Sequence, residues 1–210
     1  MCLIYPSYFP SVANYIVLAQ NQNICFEIQD NYQKQTYRNR CYIYTSNGRL
    51  GLHIPVHYTQ NNRQKTQEII IDNSTAWKSV HWKSIESAYK TSPFFEFYQD
   101  GIRPLFKNKD RLLLPFVWKC FKTINRCIEF NMVYKTSNAF EKETEVNDFR
   151  YLINPQKKVL TQTTPYYQVF QSKHHFIPNL SILDLLFNMG PETLEFLKKH
   201  PPLQPTSIKN

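Results

Sequence analysis

Six basic side chains occupy a stretch of the sequence that contains no acid. Between Asp30 and Glu68 the cations are Lys34, Arg38, Arg40, Arg49, Arg63 and Lys65. The part from Asn31 to Arg40 combines arginines with tyrosines and amides. Arginine binds a phosphate or carboxylate through two parallel N–H groups, and a tyrosine ring stacks on a base or a sugar. The stretch therefore predicts a binding site for an anionic small molecule.

The predicted substrate-binding residues come from this stretch and from segments expected to lie beside it. They are Tyr8, Asn14, Tyr32, Lys34, Arg38, Asn39, Arg40 and Asn179. The stretch follows a predicted strand, and open α/β sheets bind ligands beyond the carboxyl ends of their strands. Two alternatives remain open. The stretch could be a solvent-exposed segment leading into a hairpin, with its arginines paired to surface acids, and Asn179 could cap the start of a helix.

His81 and Asp30 are the candidate catalytic residues, because each could accept a proton from an attacking amine. His81 lies on the inward stripe of a predicted helix, where a histidine of the apolar core is the alternative interpretation. Asp30 follows a strand, where a solvated charge is the alternative. A Cys41–His81 nucleophile pair lacks any nucleophile signature. No set of side chains has metal-ligand spacing, and four glycines exclude a Gly-rich phosphate loop, so we expect no metal and no cofactor.

Strands and helices alternate at the start of the chain, which favours an α/β fold. The pattern predicts strands at 2–5, 24–28, 41–44, 50–56, 68–72 and 132–135. It predicts helices beginning near Val12 and Pro115, and over 77–88, 94–98, 181–188 and 192–200. Asn47-Gly48 predicts the turn of a β-hairpin. The polar stretch from 136 to 164 reads as a loop, with a helical turn at 148–150. We expect an α/β single domain with a mixed sheet flanked by helices.

Composition limits the class of protein. The 210 residues include 25 Lys and Arg against 16 Asp and Glu, a net charge of +9, and 42% hydrophobic residues, which suffices for one sizeable core. We expect one domain over residues 1–200 and a flexible tail over 201–210. Five cysteines form no CxxC pair, which favours free thiols in a reducing compartment. Without a secretory signal pattern or a long apolar run, we expect a cytoplasmic protein with no membrane span.

Several segments together resemble the WbqC-like family, whose genes lie beside surface-polysaccharide genes in bacteria. These are Tyr5-Pro-Ser-Tyr-Phe-Pro-Ser-Val-Ala-Asn-Tyr, the run from Asp30 to Arg40, Asn47-Gly48 leading to Leu52-His-Ile-Pro-Val, the region from Trp77 to Phe95, and Pro178-Asn-Leu-Ser-Ile-Leu-Asp-Leu-Leu-Phe-Asn-Met-Gly-Pro. The chain has Tyr5-Pro6 where longer relatives have Gln-Pro, and it lacks their Ser-Gly segment. It resembles a short branch of the family, such as one from the Bacteroidetes.

The resemblance implies transfer of an acyl or aminoacyl group to an amino-sugar nucleotide during O-antigen or capsule assembly. The partner would be an anionic small molecule, either a sugar nucleotide or a phosphopantetheine-type donor. The alternative function is a non-catalytic binding module for an acidic partner, a carrier protein or a nucleic acid. A nucleic acid is the less favoured partner, because the sequence lacks the aromatic signature of RNA-binding sheets.

Overall fold

The computed structural model describes residues 1–58, 63–156 and 164–206. Its strands are β1 (Cys2–Ile4), β2 (Ile24–Phe26), β3 (Arg40–Thr45), β4 (Gly48–His53), β5 (Val56–His57), β6 (Ile70–Ile71), β7 (Tyr134–Thr136) and β8 (Asn147–Asp148). Its helices are α1 (Val12–Gln20), α2 (Trp77–Tyr89), α3 (Phe95–Ile102), α4 (Leu113–Cys127), α5 (Gln171–His174), α6 (Ile182–Met189) and α7 (Thr193–Lys199).

Four parallel strands form the central sheet, in the order β7-β2-β1-β8. The chain moves outward from β1 to β2 and then β7, and afterwards crosses to the other side of β1 to form β8. The strand order therefore reverses between β1 and β8. In open α/β sheets such a reversal leaves a crevice at the carboxyl ends of the strands, where ligands bind.

The two faces of the central sheet are covered differently. Cys2, Ile4, Ile24 and Phe26 are at most 2% exposed and belong to the main hydrophobic core. Side chains alternate between the faces of a strand, so Leu3, like its neighbour Cys25 on β2, points to the opposite face. Leu3 and Cys25 are buried but lie outside that core. The helix predicted to begin near Pro115 is α4, which begins two residues earlier at Leu113, and its apolar residues are buried on the side that faces the core.

The small sheets and the last helices close the molecule. β3 and β4 form the predicted antiparallel hairpin, with Gly48 at φ +91° in its turn. β5 pairs with β6 in a second antiparallel sheet. Ser181 caps α6 by accepting a hydrogen bond from the Leu183 amide, and its own amide donates to the Tyr42 carbonyl of β3. The expectation of an α/β single domain flanked by helices is thus confirmed, with the antiparallel strands in separate small sheets.

The polar stretch after β7 contains one element that the pattern did not predict. β8 adds two residues to the edge of the sheet, and a 3₁₀ turn over Arg150–Ile153 follows it. The first residues of the expected tail also contact this edge, because the Thr206 amide donates to the Asp148 carbonyl at 2.8 Å and Leu203 is buried. Residues 207–210 of the expected tail, and 157–163 of the expected loop, lie outside the described residues.

Candidate functional site

The carboxyl edge of the central sheet collects charged and polar side chains from every strand. Tyr5 follows β1, Glu27 follows β2, Ser137 follows β7, and Asp148 ends β8. The Tyr5 side chain lies among these groups, because Asp30, Glu27 and two arginines all act on its hydroxyl. Burial raises the pKa of Tyr5, and Asp30 adds to this rise while Arg38 opposes it.

Asp30 and Arg38 form a buried ion pair at this edge. Arg38 Nη2 donates to Asp30 Oδ2, and the side chains are 1% and 3% exposed. Thr66 Oγ1 donates to the other carboxylate oxygen of Asp30 at 2.7 Å, and Arg38 Nη1 donates to Thr36 Oγ1 at 3.1 Å. The guanidinium lies 4.2 Å from the centre of the Tyr5 ring. The structure thus brings two predicted residues together, but the charge of Arg38 is neutralised inside the protein.

Arg40 lies beside this pair and has no carboxylate partner among the described residues. Its Nε is buried and donates a hydrogen bond to no described partner. Arg40 and Arg38 both lie close enough to Tyr32 to oppose the effect of burial, which raises the pKa of that phenol to about 12. Of the two predicted arginines, Arg40 is therefore the one whose charge remains available to a ligand.

Aromatic rings extend this cluster away from the sheet. The Tyr32 and Tyr58 ring centres lie 5.3 Å apart, and Lys34 Nζ is 4.9 Å from the centre of the Tyr58 ring. Tyr32 is buried, whereas Lys34 is exposed. We call Tyr5, Tyr32, Lys34, Arg38 and Arg40 the arginine cluster. With Asp30 as its counter-charge, the cluster retains a positive excess that suits an anionic ligand.

Four buried polar atoms without a described partner lie in this region. One is Ser7 Oγ on the loop after β1, and the others lie where the next loop enters β3: Arg38 Nε, Asn39 Oδ1 and Arg40 Nε. The two loops that carry them are joined by a hydrogen bond from the Tyr8 amide to the Tyr37 carbonyl at 2.9 Å. Buried polar groups in native proteins nearly always find a partner, so unfilled groups of this kind indicate a bound water or ligand.

His81 lies in the interior beneath these loops. Its Nδ1 is 2.9 Å from the Tyr8 hydroxyl, and its Nε2 is 3.2 Å from the His53 carbonyl. Because a carbonyl only accepts, Nε2 carries the proton and Tyr8 donates to Nδ1. Burial lowers the pKa of His81 to about 4. His81 is thus neutral at pH 7 with both ring nitrogens occupied, and Tyr8, its partner, is fully buried.

The three predicted asparagines occupy different places. Asn39 is near the arginine cluster, and its Nδ2 donates to the Ile54 carbonyl at 2.8 Å. Asn14 is buried in α1 and donates to Ser11 Oγ. Asn179 lies at the N-terminus of α1, where its Oδ1 accepts from the Ala13 amide at 2.9 Å. Asn179 therefore caps α1 from a distant part of the chain, and Ser181 alone caps α6.

Sequence reasoning missed a second ion pair at the same edge. Arg150 Nε and Nη2 both donate to Asp148, at 3.0 to 3.1 Å and 2.7 Å, and Arg150 also holds the Glu141 and Lys142 carbonyls. Tyr5 was missed as well, although it follows the first strand directly. The sequence signal for this pair was an acid and a base on either side of Phe149, namely Asp148 and Arg150. That signal points to the sheet edge only once β8 is known to be a strand of the sheet.

Metal ligands in a cluster and membrane-spanning helices are both absent from residues 1–58, 63–156 and 164–206. No group of three or more His, Cys, Asp or Glu side chains there is arranged to hold a metal ion. None of the helices in those ranges combines the length and the apolar character that crossing a membrane requires.

Comparison with known proteins identifies the family. A profile of the WbqC-like protein family matches residues 5–164 and 155–196. The chain is 25% identical over 196 residues to Rv1507c of Mycobacterium tuberculosis (strain ATCC 25618 / H37Rv), which is described as an uncharacterized protein; the aligned part covers 80% of this chain and 84% of the relative. No solved structure matches the chain. The family profile covers nearly the whole chain, and the protein therefore belongs to the WbqC-like protein family.

Proposed function

We propose that the protein transfers an acyl or aminoacyl group to the amine of an amino-sugar nucleotide, as the family resemblance implies for surface-polysaccharide assembly. In this reaction the amine nitrogen attacks the carbonyl carbon of an activated acyl donor, such as a phosphopantetheine thioester. A C–N bond forms, the C–S bond breaks, the amine loses a proton to a general base, and the thiol leaves with a proton.

One observation carries the proposal: Arg40, which acts on Tyr32 together with Arg38, has no described carboxylate partner and has a buried Nε that lacks a described partner. A nucleotide diphosphate would supply the acceptor oxygens that this group lacks. Tyr5 is half-buried beside Arg38 and offers ring surface for a base or a sugar, whereas Tyr32 is buried against Tyr58. The reversal of strand order between β1 and β8 supports the same position.

Asp30 is the better-placed base of the two candidates. It lies at the carboxyl edge within electrostatic reach of Tyr5. Its two oxygens each accept one hydrogen bond, from Arg38 and from Thr66, and a carboxylate oxygen has a second lone pair, whereas each nitrogen of His81 has a single site that is already used. Arg38 would then hold the Asp30 carboxylate in position. In this proposal His81 supports the loop through Tyr8 and does not touch the substrate.

Titration with UDP-N-acetylglucosamine and UDP, followed by calorimetry, tests the anion site. Arg40→Gln is expected to weaken binding of both at least tenfold, because it removes a charge-assisted contact to the diphosphate. Arg49→Gln is the matched control. Arg49 is an exposed arginine on the same hairpin, and its guanidinium carbon lies 4.4 Å from the centre of the Tyr42 ring. It should leave binding unchanged. If neither compound binds at millimolar concentration, or if both variants bind like the unaltered protein, the proposal fails.

A second candidate function, binding of an acidic carrier protein, is supported by a different surface. Residues 103–126 contain seven Lys and Arg residues, all exposed, and one acid, Asp110. Asp110 forms ion pairs with Lys78 and Lys119, so it does not neutralise the other cations of this segment. Binding through this face would weaken steeply with salt. It would also survive Arg40→Gln, which separates the two functions.

A further inference from the structure

The face of the central sheet opposite the main core contains a cavity of about 310 Å³. Its floor includes Leu3, Cys25 and Glu27, and its walls come from the segment after β7, with Ser137, Ala139 and Thr144. We call it the sheet-face cavity. Its volume falls at the lower end of the range for small-molecule sites, about 300–1,000 Å³. Nothing in the arginine cluster accounts for it, because none of those residues lines it.

Glu27 is the unusual group in this cavity, because it is 1% exposed and forms no ion pair with any described residue. Its Oε1 accepts two hydrogen bonds, from the Gln29 amide at 2.6 Å and from Ser137 Oγ at 2.7 Å. Its Oε2 accepts none within the described part of the chain. Oε2 is not among the fully enclosed polar atoms that lack a partner, so it is the oxygen that a molecule in the cavity can reach. A largely buried carboxylate is costly unless a cation compensates it, which favours a cationic partner at this oxygen.

The cations near Glu27 are committed elsewhere or lie apart from it. Arg150 acts on Glu27 only at a distance and donates its hydrogen bonds to Asp148 and two carbonyls. Lys135 lines the same cavity but is exposed and forms no ion pair with Glu27. Glu141 adds a second acid at the cavity wall. The lining side chains carry two negative charges and one positive charge, and the amino group of Met1 at the same cavity brings the total to zero. The attraction for a further cation therefore rests on the buried Glu27 carboxylate and not on an excess of acids.

From these contacts we infer that the sheet-face cavity binds the ammonium group of a small, hydroxyl-bearing primary amine, with Glu27 as its counter-ion. The ammonium would donate to Oε2, and Thr136, Asn138 and Thr144 offer hydroxyl and amide groups to the rest of the molecule. The site stands on Glu27 and the cavity alone. Its role as the acceptor subsite of the transferase, next to Asp30 at the same sheet edge, rests on the proposed function.

Glucosamine, N-acetylglucosamine and glucose test the inference, because they share the sugar ring and only the first carries an ammonium. In calorimetric titrations at pH 6.5, glucosamine is expected to bind at least tenfold more tightly than the other two. Glu27→Gln keeps an acceptor for Ser137 but removes the charge, and it should abolish this preference. Equal binding of the three sugars, or no binding at millimolar concentration, would overturn the inference.

Two further variants keep the test decisive if Glu27→Gln fails to fold. Ala139→Phe introduces a ring from an exposed wall position while leaving Glu27 intact, and it should eliminate glucosamine binding without lowering the melting temperature. Lys135→Met removes a repelling charge and should tighten glucosamine binding two- to fivefold. A tenfold loss with Lys135→Met would show that the cavity prefers anions, which contradicts the inference.

The ammonium site and the anion site can be tested separately. Arg40→Gln should leave the glucosamine preference unchanged, and Glu27→Gln should leave UDP binding unchanged. Loss of UDP binding with an intact glucosamine preference would reject the proposed function and retain the ammonium site. The reverse result would reject the ammonium site alone.

Discussion

Arg38→Met is expected to destabilise the protein more than most substitutions could, because it leaves Asp30 charged in the interior. Asp30 is 3% exposed, and its remaining side-chain partner would be the Thr66 hydroxyl. Breaking a buried ion pair by removing one member costs about 3–5 kcal/mol. The total stability of a domain is about 5–15 kcal/mol, so the variant should unfold at a much lower urea concentration.

The double substitution separates the charge from the packing. Asp30→Asn alone leaves the Arg38 guanidinium with Thr36 and the Tyr5 ring, and we expect a cost of about 3 kcal/mol or more. Asp30→Asn combined with Arg38→Met removes both charges, so its cost should fall below the sum of the two single costs by about 2–3 kcal/mol. Urea unfolding at pH 7, followed by tryptophan fluorescence and circular dichroism, measures all four proteins.

Additive costs would refute this reasoning, as would a cost below about 1 kcal/mol for Arg38→Met, the range of an exposed pair. In either case the two side chains would interact with water more than with each other. Arg40→Gln serves as the control, since Arg40 has no carboxylate partner among the described residues and its loss leaves no buried acid uncompensated.

Four further predictions concern the core and the helix ends. Relative to His81→Gln, the unaltered protein should lose about 3 kcal/mol of stability between pH 6.5 and 4, because burial lowers the pKa of His81 to about 4 and the unfolded chain binds the proton first. Relative to Asp184→Asn, the unaltered protein should gain about 2 kcal/mol of stability between pH 6 and 4, because burial raises the pKa of Asp184 to about 6 and the folded protein binds the proton first. Urea unfolding across this range should therefore show opposite pH dependences for the two comparisons. Gly190→Ala should lower the free energy of unfolding by about 2 kcal/mol or more, because Gly190 has φ +55° and a Cβ there would lie 2.5 Å from the Phe94 ring. Gly101→Ala, the control, should leave the free energy of unfolding unchanged or raise it by up to about 1 kcal/mol. Equal melting temperatures for the two variants would contradict this. Asn179→Gly keeps the positive φ at this position but removes the side chain that caps α1. We expect it to lower the free energy of unfolding by about 1 kcal/mol in the same urea assay.

Periodicity predicted the elements that bury an apolar face. The α4 stripe, the α2 helix that ends before Pro93 and the Asn47-Gly48 hairpin all have local causes: side-chain spacing, a residue that cannot continue a helix, and a turn that needs positive φ. β8 has no such cause. Two residues at the edge of a sheet need no apolar alternation, and they become a strand because β1 offers them hydrogen bonds.

The sequence indicated which of the predicted residues follow a strand of the central sheet, but not how they pair. Asp30 follows β2 and Arg38 pairs with it near Tyr5, while the ligand site predicted for this stretch stays a prediction. Which arginine faces Asp30 depends on the path of the chain between Asp30 and β3, and no periodicity reports that path. The position of His81 beneath Tyr8 depends likewise on how α2 packs, a tertiary contact between residues 73 positions apart.

The two arginines therefore do different work although one residue separates them. Arg38 precedes β3 and turns inward, where Asp30, Thr36 and the Tyr5 ring fix it. Arg40 is the first residue of β3 and remains half-buried with its charge uncompensated by any described carboxylate. A buried pair contributes to the shape of an edge, whereas an unpaired guanidinium contributes a charge that a ligand can use. Loss of Arg38 should thus appear as instability, and loss of Arg40 as weaker binding in a protein that remains folded.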